Sequence, residues 1–168
     1  MSFAAIVLTL VTLQRLGELA LAQSNTKRLM ARGAIEVGAG HYPLIVAVHA
    51  AWLLALWLYG REQPVNLPLL AIFGMLQAMR IWVIATLGPR WTTRIIVLRG
   101  APLIATGPYR FMAHPNYAIV IGEIAVLPLA LHLPALALTF SALNAVVLII
   151  RIRIEARALD ERTIRTAS

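Results

Sequence analysis

The chain has 168 residues, of which 60% are hydrophobic and 13% charged, with a mean hydropathy of +0.79. One soluble core of that size cannot hide so many apolar side chains, so a water-soluble globular domain is excluded and a membrane protein is predicted. The net charge of +8 points to lipid headgroups rather than nucleic acid, because the basic residues crowd the ends of apolar runs, and the absence of cysteine excludes disulfides, thiolate chemistry and Cys-based metal sites.

The first apolar run covers residues 3–22. Arg15 and Glu18 interrupt it three residues apart, on one helix face. With no basic segment ahead of it, the run does not read as a signal peptide. Residues 23–42, QSNTKRLMARGAIEVGAGHY, follow as a polar connection, predicted to hold a short amphipathic helix from about Thr26 to Ala34 and then a glycine-rich turn. Runs at 43–59 and 66–87 give the second and third spans. They carry His49, which reads as a hydrogen-bonded packing residue, and Arg80, near enough to the cytoplasmic end to snorkel.

Residues 88–116 are irregular. TTRIIVLRG alternates as an extended piece would, the Gly-Pro pairs at 88–89 and 107–108 mark turns, and Pro115 opens the next helix. Such backbone cannot face lipid, so it lies in water or lines a cavity. The run from Tyr117 to Ile150 is too long for one span: its 34 residues would reach about 51 Å as a helix, against a hydrocarbon core of about 30 Å. LHLP at 131–134 supplies the break, and residues 115–154 then form two helices of near-spanning length. Five transmembrane helices in an all-α bundle are therefore expected, within a single domain over 1–168.

Orientation follows from the 15 Lys and Arg residues. Lys27, Arg28, Arg32, Arg90, Arg94, Arg99, Arg110, Arg151, Arg153, Arg157, Arg162 and Arg165 all fall on one side of a five-span count. The positive-inside rule makes that side the cytoplasm, with the amino terminus outside and the carboxyl terminus cytoplasmic.

Ionisable residues at a span's centre cost about 2.5–3.5 kcal/mol and read as functional by default. Arg15, Glu18 and Glu123 are accordingly candidate substrate-binding residues. The alternative for Arg15 and Glu18 is a self-compensated packing pair, and Glu123 has no partner legible in the sequence. At the mouth of the fifth span, RIRIEARALDER places Arg151 and Glu155 four apart on one face. A hairpin of spans four and five brings that face back to the depth of His114 and Pro115. A turn, a proline-started helix, a histidine, tyrosines, an arginine and a carboxylate then form a polar pocket against lipid, suited to a zwitterionic ligand serving a greasy substrate. The alternative is a loop that merely anchors two spans.

GPYRFMAHPNY, a hydrophobic hairpin and then RIRIEARAL, over about residues 88–162, resemble the isoprenylcysteine carboxyl methyltransferase family of integral-membrane methyltransferases. The resemblance implies that S-adenosylmethionine binds where the cytoplasmic helix ends meet and that a lipid-side opening admits the acceptor. It implies a cofactor site of Tyr109, His114, Pro115, Tyr117, Arg151, Arg153 and Glu155, with Arg110 shaping the turn, and Glu155 and Arg110 as the catalytic pair.

Two positions depart from the family pattern. Ala113 stands where a basic residue commonly precedes His-Pro, and Ala156 follows Glu155 where a second glutamate is common. QRLGELALAQSNTKRLMARGAIEVGAGHYPLIVAVH looks like a bacterial branch associated with O-methylation of alkylpyrone-type polyketides. Together these favour an enol or phenol-like oxygen over a prenylcysteine carboxylate as acceptor; for a carboxylate, Arg15 or Arg110 would be the replacement cation. The resemblance places the protein in a bacterial inner membrane with its site facing the cytoplasm. The glycines at 33, 38 and 40 lack GxGxxG spacing, so a Rossmann-type site is not expected. Two other functions compete: N-methylation of a phospholipid amine, and transport of a small solute along Arg15, Glu18 and Arg80. Expected partners are thus the bilayer and a lipophilic small molecule.

Overall fold

The computed structural model describes residues 2–98, 100–102 and 104–166, with side chains through Glu155. Its helices are α1 (Phe3–Ala31), α2 (Tyr42–Gly60), α3 (Leu67–Leu87), α4 (Pro115–Ala130) and α5 (Pro134–Thr166). Two short strands, β1 (Ile35–Glu36) and β2 (Ile96–Val97), pair antiparallel with Ile35 opposite Val97. Four helices, all but α4, contain stretches long and apolar enough to cross a bilayer. The chain is an all-α integral membrane bundle.

Local chemistry sets the helix ends. Ser2 and Asn66 cap α1 and α3, their side-chain oxygens accepting from the amides of Ala5 and Leu69 at 3.1 Å each. Proline occupies the first turn of α2, α3 and α4, where a missing amide hydrogen costs nothing. Leu131–Leu133 form the turn expected from LHLP, and TTRIIVLRG contributes β2, the extended piece read in it.

One expectation is corrected. The polar segment after residue 22 is not a separate short helix, because α1 runs unbroken to Ala31. Between residue 22 and Gly33 there is no glycine or proline to break it; Gly33, with φ of +83°, ends the helix, while the Ala34 amide donates back to the Leu29 carbonyl at 3.1 Å. The extension is held by tertiary contact: buried Asn25 donates to the carbonyls of Trp91 at 2.9 Å and Gly88 at 3.2 Å. Helix α4 is the shortest of the five. At 16 residues it is about 24 Å long, short of the roughly 30 Å hydrocarbon core. Among the cations of the orientation argument, Arg99 and the side chains of Arg157, Arg162 and Arg165 lie outside the described residues.

Helix α4 packs between α3 and α5. Its Ile124 and Leu127 join Leu8, Trp52, Leu56 and Phe73 in the main core. A second cluster, Ala22, Val83, Trp91 and Ile119, pins the 88–116 connection to α1, α3 and α4. Two left-handed glycines allow the closest approaches. A Cβ on Gly107 (φ +56°) would lie 2.5 Å from Thr86 Oγ1, and one on Gly38 (φ +63°) 2.5 Å from Ile154 Cγ2. The second contact seats α5, one residue before Glu155, against the connection between α1 and α2.

Candidate active site

The 88–116 connection, the start of α4 and residues 151–155 of α5 enclose a cleft of about 500 Å3. Tyr117, in the first turn of α4, is its hub. Its hydroxyl donates to Glu155 Oε2 and accepts from Arg151 Nε at 2.9 Å. Arg151 also donates to the Thr93 carbonyl at 2.7 Å, so the guanidinium ties α5 to both α4 and the connection. Proline at 115 and the i, i+4 spacing of Arg151 and Glu155 make this possible, by starting α4 beside the loop and stacking the two α5 side chains on one face. His114 stacks on Tyr117 with ring centroids 4.9 Å apart. Burial and then the nearby Glu155 carboxylate push the Tyr109 hydroxyl up to about 12, so it stays a neutral donor at physiological pH.

Of the residues expected at a cofactor site, Tyr109, His114, Tyr117, Arg151 and Glu155 all line this cleft. Pro115 is buried behind it as the first residue of α4. Arg153, two residues from both Arg151 and Glu155 and so on the opposite side of α5, is exposed and does not line the cleft. Arg110 is likewise exposed, with its guanidinium 5.7 Å from the Phe111 ring centroid, outside both cavities described here.

A second chamber, of about 290 Å3, lies deeper between α1, α2, α4 and α5. Its lining is mostly apolar, and Leu16 and Val46 belong both to it and to the exposed outer surface of the bundle, so it reaches the lipid-facing side between α1 and α2. Trp91, Thr92, Asn116, Tyr117 and Arg151 line both cavities and form the wall between them. The wall is braced from α2 by Tyr42, whose hydroxyl hydrogen-bonds Thr93 Oγ1 at 3.1 Å and whose ring carries the Arg94 guanidinium at 4.5 Å. Arg94 in turn pairs with Glu36 at 2.9 Å.

Beneath the chamber, two arginines and two glutamates form a charge-neutral network. Arg80 grips Glu123 through two bonds, Nε to Oε1 at 2.9 Å and Nη2 to Oε2 at 2.7 Å. Arg15 bridges Glu123 and Glu18, at 2.9 Å to each. Gln77 donates to Glu123 at 2.8 Å, and Gln14 donates to both Glu18 and Gln77. The Arg15–Glu18 pair expected from spacing is present, and Glu123 gains the partners the sequence did not disclose. Arg80 does not snorkel: it is 4% exposed and also donates to Asn116 Oδ1 at 3.3 Å, linking the network to the wall. His49 bonds the Ile45 carbonyl of its own helix through Nδ1 at 2.8 Å, in keeping with a hydrogen-bonded residue, yet it also lines the chamber.

Sequence reasoning missed Asn116, Trp91 and Gln77. The signal for Asn116 and Glu123 was their spacing of seven, two turns on one face of α4. Gln77, three before Arg80 inside an apolar span, carried the same signal. Trp91 had none, since its role comes from packing.

Known proteins are similar to this chain over nearly its whole length. A protein of Bacillus subtilis (strain 168), the uncharacterized YpbQ, is 38% identical over 165 residues, covering 95% of this chain and 98% of its own length. An uncharacterized protein of Haemophilus influenzae is 27% identical over 166 residues, covering 95% of this chain and 96% of its own. No solved structure matches significantly. The family model for isoprenylcysteine carboxyl methyltransferases matches residues 69–161, more than half of the chain and all of the cleft's α4 and α5 residues. With that match, and with the Tyr117–Glu155–Arg151 cleft built from the matched segment, the chain belongs to the isoprenylcysteine carboxyl methyltransferase family.

Proposed function

We propose that the protein is an S-adenosylmethionine-dependent O-methyltransferase that acts on a lipophilic acid or enol at the cytoplasmic face of a bacterial inner membrane. The shared wall carries this reading. A polar cleft and an apolar chamber meet at Asn116, Tyr117 and Arg151, which is the layout needed when a zwitterionic donor and a greasy acceptor must react across a boundary.

The cleft's donor set fits such a cofactor: a carboxylate, guanidinium groups, two tyrosines, a tryptophan and an imidazole around about 500 Å3, within the usual range for small-ligand pockets. S-Adenosylmethionine bound there would supply an electrophilic methyl group on a sulfonium. Glu155, with one oxygen taken by Tyr117, keeps its other oxygen for a cationic or hydrogen-bonding part of the ligand. Arg151 is locked by two bonds and offers fixed positive charge toward a carboxylate. Trp91 and the His114–Tyr117 stack supply apolar faces for a base. Positioning and exclusion of water are the protein's main contribution to a transfer of this kind.

Between acceptor classes, the paired network favours an enol or phenol-like oxygen, as on an alkylpyrone-like polyketide, over a prenylcysteine-like carboxylate. Arg15 and Arg80, the chamber's deep cations, already bond Glu18 and Glu123. A carboxylate reaching these two would find both already paired and would be desolvated there without compensation.

Isothermal titration of detergent-purified protein with S-adenosylhomocysteine tests the cofactor. Binding is expected, and its absence would leave the transporter reading. Mass spectrometry of products from long-chain enols, prenylcysteine analogues and phospholipid amines tests the acceptor: enol ethers are expected, and efficient methyl-ester formation on prenylcysteine would overturn the choice. Reporters fused at Met1 and after Ser168 are expected outside and in the cytoplasm.

A further inference from the structure

The carboxylates around the two cavities, and His114, are engaged or exposed, Glu18 being bonded by Arg15 and Gln14. Glu123 receives four donors from Arg80, Arg15 and Gln77. Glu155 is bonded by Tyr117, and His114 is exposed on the outer side of the cleft. Of the four histidines, His41 and His132 line neither cavity. His49 differs from all of these. A carbonyl can only accept, so the Nδ1 contact with Ile45 places the neutral ring's proton on Nδ1 and leaves a lone pair on Nε2. Among the described residues Nε2 has no bonding partner, and it belongs to a residue that lines the chamber. Asn144, on α5, lines the same chamber. It is 4% exposed, and among the described residues its amide makes no hydrogen bond. An amide that lines a cavity without a partner of its own is open to one that enters it.

We infer that His49 and Asn144 form the acceptor's polar site: His49 Nε2 takes the proton of a weakly acidic hydroxyl, and the Asn144 amide donates to the oxygen as it becomes anionic. The inference deepens the proposed function and rests on it. The bond that forms joins the acceptor oxygen to a sulfonium methyl carbon. The bond that breaks is carbon–sulfur, whose electron pair stays on sulfur to give a neutral thioether, and the hydroxyl proton ends on Nε2. The charged side chains facing His49 are Arg15 from α1, Arg80 from α3 and Glu123 from α4, joined to one another in the buried network. His49 is thus the neutral base in a chamber whose deep charges cancel, a setting that selects a protonated phenol or enol over an acid that arrives ionised.

The test uses the full-length protein in detergent and a long-chain 4-nitrophenol as probe. Without any methyl donor, phenolate absorbance of the bound probe is followed against pH in wild type, His49→Gln and Asn144→Leu. The wild type is expected to ionise the bound probe at lower pH than either variant does, while S-adenosylhomocysteine binding is unchanged in both. Turnover of the same phenol is expected to fall by about 100-fold in His49→Gln, the usual scale of proton-transfer catalysis. An unchanged ionisation curve and turnover in a His49→Gln protein that still binds S-adenosylhomocysteine would overturn the inference and leave the methyltransferase reading intact. Failure of the wild type to bind S-adenosylhomocysteine would overturn both.

Discussion

The bundle gathers its ionisable groups in two places, and they are built on opposite plans. In the deep network every charge on Arg15, Glu18, Arg80 and Glu123 meets an opposite charge, and glutamines fill the remaining sites. All of its members sit on regular helices. The cleft combines the irregular 88–116 connection with α4 and α5, and among the described residues its bonds are incomplete: Arg90 reaches only the Pro102 carbonyl, Glu155 only Tyr117, and His114 only a ring face. A closed network fixes how helices pack, because no member can leave without stranding another. An open one holds capacity in reserve for a ligand. Charge in a membrane is therefore informative less by its presence than by how completely it is matched.

The comparison is broken most forcefully at Arg80. Arg80→Met leaves Glu123 buried with two fewer donors, and a loss of about 3–5 kcal/mol in stability is expected, read as a large drop in melting temperature in detergent. The double variant Arg80→Met, Glu123→Leu is expected to regain part of it, because no lone carboxylate remains. A neutral Arg80→Met would mean the network is not closed.

Glu155→Gln addresses the other region. It is expected to weaken S-adenosylhomocysteine binding by about tenfold or more, equivalent to about 1.4 kcal/mol, with little change in melting temperature. A collapse in stability instead would make the cleft as structural as the network. Tyr117→Phe removes the hydroxyl that joins Glu155 to Arg151, and a loss of about 0.5–1.5 kcal/mol in the same titration is expected. Arg110→Ala should do least. The side chain is exposed beside Phe111, and a change within about 0.5 kcal/mol in stability or binding is expected. A large loss of turnover there would restore the catalytic role its motif implies.

Apolar run lengths, the proline at 115 and the LHLP break were sufficient to read the spans and the α4–α5 hairpin, because helix length and punctuation are local properties. The i, i+3 pairing of Arg15 with Glu18 and the shared face of Arg151 and Glu155 were legible for the same reason: helical spacing alone sets them. The motif pairing carried the family. Three matters belonged to the tertiary structure. Arg80 could be read as snorkelling until α4 was seen to bring Glu123 against it. The α1 extension could be read as a separate interfacial helix until Asn25 was seen to anchor it to Trp91 and Gly88. Arg153 was as good a candidate as Arg151 until the rotation of α5 turned one inward and the other out. In each case the deciding partner lies more than 30 residues away, and the direction of a side chain across a helix interface depends on packing that no local pattern encodes.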